Sequence, residues 1–447
     1  MFTDFRPLEI AIREIPSSTR YGKVVGVDAS VVRIGGLSRH AHVGDQITIS
    51  KRGGGDVGGE IIALTKEFAL AMPYGTGEGI AINDAAKLER HAEIKPADNW
   101  IGRIIDAFGN PLDGRPLFAG DKFIPLRRSP PPAATRRELG DRLETGLTIF
   151  NTMLPIARGQ RIGVFAGSGV GKSTLLANLA KGIDCDVVVI GLIGERGREL
   201  GEFVNKVLGP EGLKKSIIIA ATSDQSPLSK RRAAWTTMAV SEYFRDRGKH
   251  VLLLMDSVTR FAEAHREIAL TAGEAPSLRA YPPSTSNLIA GLAERAGPGP
   301  RGSADITAVF SVLVAGSDME EPIADITRGV LDGHIVMDRD IAERGRFPAI
   351  DINRSVSRSL PTIATETENS AICAAKRLIA TYEQATPMTQ TGLYSKGTDP
   401  FIDESLQTWP LLEAFFSEPS SGASAKDFES LAHILDPSLL NKKPEKD

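Results

Sequence analysis

The densest chemistry in the chain lies in nine consecutive residues, Ala166-Gly167-Ser168-Gly169-Val170-Gly171-Lys172-Ser173-Thr174. Gly167, Gly169 and Gly171 free the backbone to turn its N–H groups inward around a phosphate. Lys172 supplies a cation for the β- and γ-phosphates, and the Ser173 hydroxyl suits a magnesium ion. Ser168, Val170 and Thr174 complete the cradle. The strict phosphate-loop pattern begins with Gly where this chain has Ala166, and the inner glycines still make the tight turn. A second element is Val251-Leu252-Leu253-Leu254-Met255-Asp256, an apolar run ending in one carboxylate. Beside a phosphate loop, such an Asp256 holds a magnesium-bound water. A third is Gly194-Glu195-Arg196-Gly197-Arg198-Glu199. There Glu195 is placed to polarise a water, and Arg196 and Arg198 to offset phosphoryl charge. From spacing alone, a solvated helix N-terminus explains Glu195 equally well.

These residues need a scaffold that brings strand ends together. From about residue 140 to 360, runs apolar on both faces alternate with helical stretches: Arg161–Phe165, Val187–Ile193, Ile217–Ala221, Val251–Met255 and Ile306–Val314. Buried parallel strands read this way, so an α/β fold with crossover helices is expected. The phosphate loop then sits between strand Arg161–Phe165 and helix Leu175–Ala180. Residues 21–92 instead show short alternating strands, Lys23–Val27, Val31–Ile34, Gln46–Ile49 and Glu60–Leu64. Their spacing fits a small antiparallel barrel or sandwich. The glycines at 35–36, 44, 53–55 and 58–59 read as its turns. Phe123 to Pro132 is rich in Pro and Arg and reads as an extended linker. Beyond about 362, Asn369–Gln384, Asp403–Phe416 and Lys426–Leu435 read as amphipathic helices. The expected division is a short segment 1–20, a β-barrel domain 21–95, a P-loop domain 96–362, a C-terminal α-helical domain 363–437 and a polar tail 438–447.

Composition narrows the classes. The chain has 447 residues, 41% hydrophobic and 24% charged, which excludes disorder throughout. Lys and Arg total 53 against 56 Asp and Glu, so a duplex-binding global field is not expected. Two cysteines, Cys185 and Cys373, make neither a disulfide framework nor a four-ligand zinc site. Apolar runs are far short of the ~20 residues of a membrane helix, and the first twenty residues have no signal-peptide core.

The order of motifs resembles the rotary and export ATPase family, most of all its flagellar protein-export branch, from about residue 20 to 436. Besides the elements above, the resemblance rests on Gly102–Asp106 with Gly109–Gly114, on Leu331–Val336 and on Pro348–Ser357. It implies an N-terminal antiparallel β-barrel, a RecA-like P-loop core and a C-terminal helical domain. It implies a Mg-dependent ATPase with ATP and Mg2+ as cofactors. Glu195 then matches the glutamate that positions the attacking water, and Arg196 the arginine near the γ-phosphate. Phe347 matches the aromatic packed on adenine, and Arg358 matches the arginine finger that reaches a neighbouring subunit. A catalytic glutamate and a finger on one chain imply a homohexamer of like subunits. Further expected partners are a stator-like export regulator, a central stalk-like export protein, chaperone–substrate complexes and an export gate at the inner membrane, with no nucleic acid. The expected location is cytoplasmic, peripheral to that membrane.

The alternatives are an injectisome ATPase or a rotary-synthase catalytic subunit. The acidic coupling segment of the synthase is missing, and Gly392–Asp399 resembles the export branch. A silent ring subunit would lack Glu195, and an RNA-translocating ring would want an aromatic cluster in the barrel. Two places depart from the family. Pro7 and Pro16 confine any N-terminal helix to Leu8–Ile15. Ser284-Thr285-Ser286-Asn287 stands where larger apolar residues are common.

Overall fold

The computed structural model describes residues 18–315, 318–420 and 422–435. The expected helix at 8–15 and the tail from 438 lie outside them. Six strands come first: β1 Tyr21–Val27, β2 Val32–Gly35, β3 Asp45–Ser50, β4 Asp56–Leu64, β5 Phe68–Pro73 and β6 Ala85–His91. They close a barrel in the order β1-β2-β5-β4-β3-β6, every pairing antiparallel. Of the barrel and the sandwich that spacing allows, the chain forms the barrel. Alternation sends Val24, Ile34, Ile47, Ile49 and Ile61 inward, where they make one apolar core. Gly36, Gly44, Gly54 and Gly55 do take positive φ at turns. Gly58 and Gly59 do not, because both lie inside β4. A Cβ on Gly59 would stand 2.6 Å from the Met72 carbonyl oxygen, so this glycine serves strand approach.

The core sheet has eight strands in one path: β7 Arg103–Ile105, β8 Arg161–Ala166, β9 Val187–Glu195, β10 Ser216–Thr222, β11 Val251–Asp256, β12 Asp305–Leu313, β13 Gly333–Met337 and β14 Ile350–Ser357. The order is β14-β13-β8-β12-β11-β9-β10-β7, parallel except for β14. The short strand Gly297–Pro298 adds antiparallel to β12. Strand β9 shows why these runs are apolar throughout: Val188, Ile190 and Leu192 enter one core, while Val187, Val189 and Ile193 enter the other.

Helices cover both faces. α1 Lys172–Gly182 packs in the first core. α2 Gly197–Glu202 follows β9. α3 Pro227–Asp246, α4 Val258–Thr271 and α5 Ser284–Ala293 pack in the second core. α6 Pro322–Val330 leads toward β13. The chain ends in α7 Glu366–Gln390, α8 Pro400–Ser417 and α9 Ser424–Leu435, which close the first core with Ile372, Trp409, Phe416 and Leu431. A capping box of Thr365 and Glu368 starts α7, and Tyr382 stacks on Trp409 at 4.7 Å. The segment expected as a linker, Phe123 to Pro132, is extended but not free. Ile124 pairs with Ile94, and Leu126 is fully buried in the second core.

Candidate active site

Parallel strands bring chemistry to their carboxyl ends, and here β8, β11 and β9 do so, with β12 between β8 and β11. β8 runs into the glycine loop, which closes with Gly169 and Gly171 at φ 80° and 89°. Gly171 caps α1, so the first N–H groups of an eleven-residue helix open toward the loop. β11 ends in Asp256, which is 3% exposed, and β9 ends in Glu195. Lys172 Nζ lies 2.5 Å from Asp256 Oδ1 and 3.8 Å from Glu195 Oε1. Ser311 Oγ on β12 donates to the same Asp256 oxygen at 2.6 Å.

The electrostatics follow from this crowding. Burial and the Asp256 carboxylate push the Glu195 carboxyl up to about 7, while Lys172 pulls it down. Glu195 is therefore poised to exchange a proton near neutrality. Arg196 is exposed and pairs with Glu199 at 3.3 Å. Arg260 in the first turn of α4 covers Gly194: a Cβ on that glycine would stand 3.1 Å from the Arg260 Cβ. Arg260 is tied to Glu263 at 2.8 Å, and this bond, with the nearby Glu195 adding, holds its guanidinium still more firmly protonated.

A cleft of about 1100 Å³ opens over this edge, lined by the whole loop Ala166–Thr174 with Glu195, Arg196, Arg260 and Tyr281. Its size suits a nucleotide. Phe347, half exposed, stands at the same edge, its ring 3.5 Å from where a Gly171 Cβ would be. The chain thus assembles Gly167, Ser168, Gly169, Val170, Gly171, Lys172, Ser173, Thr174, Glu195, Arg196, Asp256 and Phe347 in one place.

Arg358 stands apart. β14 runs antiparallel, so its last residue Ser357 pairs with Gly333, the first of β13. The Arg358 N–H donates to Asp332 O, and Asp332 N–H donates to Arg161 O at the start of β8. Exposed Arg358 therefore sits at the amino edge, about 16 Å of strand from the phosphate loop.

Spacing arguments had not singled out Arg260, Thr259 or Ser311. Thr259 Oγ1 accepts from Leu313 N–H at 2.8 Å and ties α4 to the end of β12. The available signal was Asp256-Ser257-Val258-Thr259-Arg260: a helix starting two residues after a strand keeps its first turn at that strand's carboxyl edge. Ser311 carried no signal, because its neighbour to Asp256 arises from strand order.

Known proteins resemble this chain over nearly its whole length. Residues 146–357 match the nucleotide-binding domain of the ATP synthase alpha/beta family, and residues 364–428 match the T3SS EscN ATPase C-terminal domain. The flagellum-specific ATP synthase of Caulobacter vibrioides is 45% identical, covering 96% of this chain and 99% of that protein. The type 3 secretion system ATPase of Xanthomonas euvesicatoria is 38% identical over 96% of each. Assembled EscN from enteropathogenic E. coli, in complex with its central stalk EscO, superposes with a TM-score of 0.83 at 35% identity, covering 93% of this chain and 100% of that one. At such identity over nearly the whole length, the chain belongs to the flagellum-specific ATP synthase and type III secretion ATPase family, the export branch of the ATP synthase alpha/beta family.

Proposed function

We propose that this chain, an ATPase of the type III export class, hydrolyses ATP to energise protein export in flagellum assembly. The observation that carries the catalytic part is Glu195 at the mouth of the phosphate loop, 3.8 Å from Lys172, which in turn pairs with Asp256. Higher identity to a flagellar relative than to the injectisome relative, 45% against 38%, supports the flagellar assignment.

In this reading the loop amides of Gly167 to Thr174 and Lys172 bind the phosphates, and Phe347 packs on adenine. Glu195 accepts a hydrogen bond from the attacking water and orients it, while Arg196 faces the γ-phosphate. The Ser173 hydroxyl and the Asp256 carboxylate, hard oxygen donors of the kind magnesium takes, line one small cavity beside the loop. Bound there, Mg2+ would neutralise charge on the phosphates. Lys172, now on Asp256, would then turn to the nucleotide.

Arg358 lies on the wrong edge to serve its own site, which supports its acting on a neighbouring copy. A homohexameric ring follows if each copy both offers and receives a finger. EscN in complex with its stalk EscO makes a central stalk-like protein the natural partner. A stator-like regulator, chaperone–substrate complexes and a membrane export gate complete the proposed set, with the enzyme in the cytoplasm at the inner membrane. Among the described residues no helix is long and apolar enough to cross a membrane. The proposed domains are 21–95, 96–362 and 363–437.

The test is ATPase activity of wild type, Glu195→Gln and Arg358→Ala against protein concentration. Wild type loses specific activity on dilution, each variant loses at least a hundredfold, and a mixture of the two regains part. Normal activity of either variant at high concentration sinks the mechanism.

A further inference from the structure

A second groove, of about 410 Å³, lies between the barrel, the segment after Leu126 and helices α3, α4 and α5. It is distinct from the nucleotide cleft and shares no residue with it. Its walls are apolar: Ile62 from β4, Trp235 from α3, Ile268 from α4, and Leu288 and Leu292 from α5. One side is cationic. Arg127 and Arg231 both stack on the Trp235 ring, at 4.4 and 4.9 Å. Both also donate to one oxygen, Glu60 Oε1, at 2.6 and 2.8 Å.

Two guanidinium groups on one carboxylate leave a positive charge unmatched. The shortage of acceptors is visible: the buried Nε of Arg231 has no hydrogen-bond partner. Arg127 spends Nη2 on Glu60, yet its side chain stays 45% exposed at the mouth of the groove. The opposing carboxylate, Glu274, is committed to Ser284 through its N–H and Oγ at 2.9 and 2.7 Å. Asn287 lines the same groove. At Gly291 an added Cβ would meet nothing within 4 Å, so α5 leaves open space there.

We propose that this groove binds a small amphipathic anion, whose carboxylate pairs with Arg127 while its apolar body lies against Trp235, Ile268, Leu288 and Leu292. Apolar walls supply burial, and an exposed guanidinium beside an over-shared carboxylate supplies the anion preference. The cationic side of the groove is also the joint between barrel and core. α4 runs from it to the nucleotide cleft, with Ile268 at one end and Arg260 at the other.

The probe is octanoate, titrated calorimetrically into the full-length chain without nucleotide, so the outcome does not depend on ATP hydrolysis. Wild type binds it saturably at one site with a Kd of about 0.1–1 mM. Arg127→Gln weakens binding about tenfold, and uncharged octan-1-ol binds wild type about tenfold more weakly than octanoate. Gly291→Leu, which fills the open space from a helix, abolishes binding. Asn287→Trp replaces it if its melting temperature has fallen. No saturable binding by wild type overturns the proposal, as does equal binding by the filled variant. Equal binding by Arg127→Gln overturns the assignment of the anion to Arg127.

Discussion

At the scale of single residues, the active edge is a crowd of charges awaiting a ligand. Lys172 answers Asp256, and Glu195 is left partly buried beside both. A carboxyl at about 7 must lose its proton before it can accept one from water. The value of kcat/KM, which reports the free enzyme, should therefore climb as pH rises through about 7. A profile flat down to pH 5 would show that Glu195 is not the group that must ionise. Phe347 makes a different demand. Its half-exposed ring leans on Gly171, whose φ of 89° suits glycine. Loss of one stacked aromatic costs about 1.5 kcal/mol of binding. Phe347→Ala should thus raise KM for ATP about tenfold with kcat little changed, and Phe347→Tyr should restore it. These residues were legible for unequal reasons. Lys172 and the glycines declare themselves by local spacing. Phe347 and Arg358 have no local pattern, and a resemblance was needed to pick them out. Ser311 was illegible, because it depends on β12 lying beside β11.

At the scale of elements, the long apolar strands were readable to within a residue or two, because a strand buried on both faces has nothing polar to hide it. β5 and β6 were not: Phe68–Pro73 is apolar without the polar alternation of its neighbours, and Ala85–His91 is dominated by charged residues at its end. β13 is only five residues long, and β14 carries Asp351, Asn353 and Arg354 within its run, so neither reads as a strand apolar on both faces. Helix α4 is tied to α3 and to the start of α5 through His265. Its Nδ1 faces Arg231 Nη1 at 3.4 Å, and its Nε2 lies 2.8 Å from Ser284 Oγ. Ser284 Oγ in turn donates to Glu274, so the ring donates from Nε2 and accepts at Nδ1. A proton on Nδ1 would point at a guanidinium. Burial first, then Arg231, hold the imidazole down at about 4 against an ordinary 6.5, with Glu274 opposing and Arg127 adding. The unfolded chain then binds more protons between those values. Stability is full above pH 6.5 and falls as pH drops toward 4, by up to about 3 kcal/mol. His265→Gln should remove that part of the acid loss while lowering stability slightly at pH 8. A variant whose urea midpoint falls with acid as steeply as wild type would rule this out.

At the scale of the whole molecule, the barrel must ride on the core rather than hang from it, because Glu60 of β4 reaches across to Arg127 and Arg231. Glu60 is 3% exposed and Arg231 is 5% exposed, so this pairing is shielded from solvent. Such pairs add little over a well-packed apolar replacement, but breaking one side leaves a buried charge with no partner. Glu60→Gln should therefore cost about 2–4 kcal/mol, toward the lower end because Arg127 can still reach water. The loss should appear as a lowered urea midpoint and as faster proteolysis between barrel and core. The double variant Glu60→Met with Arg231→Met should recover most of that loss, because it removes both charges and keeps the volume. If the single variant costs less than about 0.5 kcal/mol, the barrel is held by its apolar contacts instead. Those contacts form a modest patch: Ile62 and Met72 of the barrel meet Leu228 and Ile268 of the core, flanked by the partly buried Val31, Leu70, Tyr74 and Ala272. A patch that small argues that position, rather than affinity alone, is set by the Glu60 network.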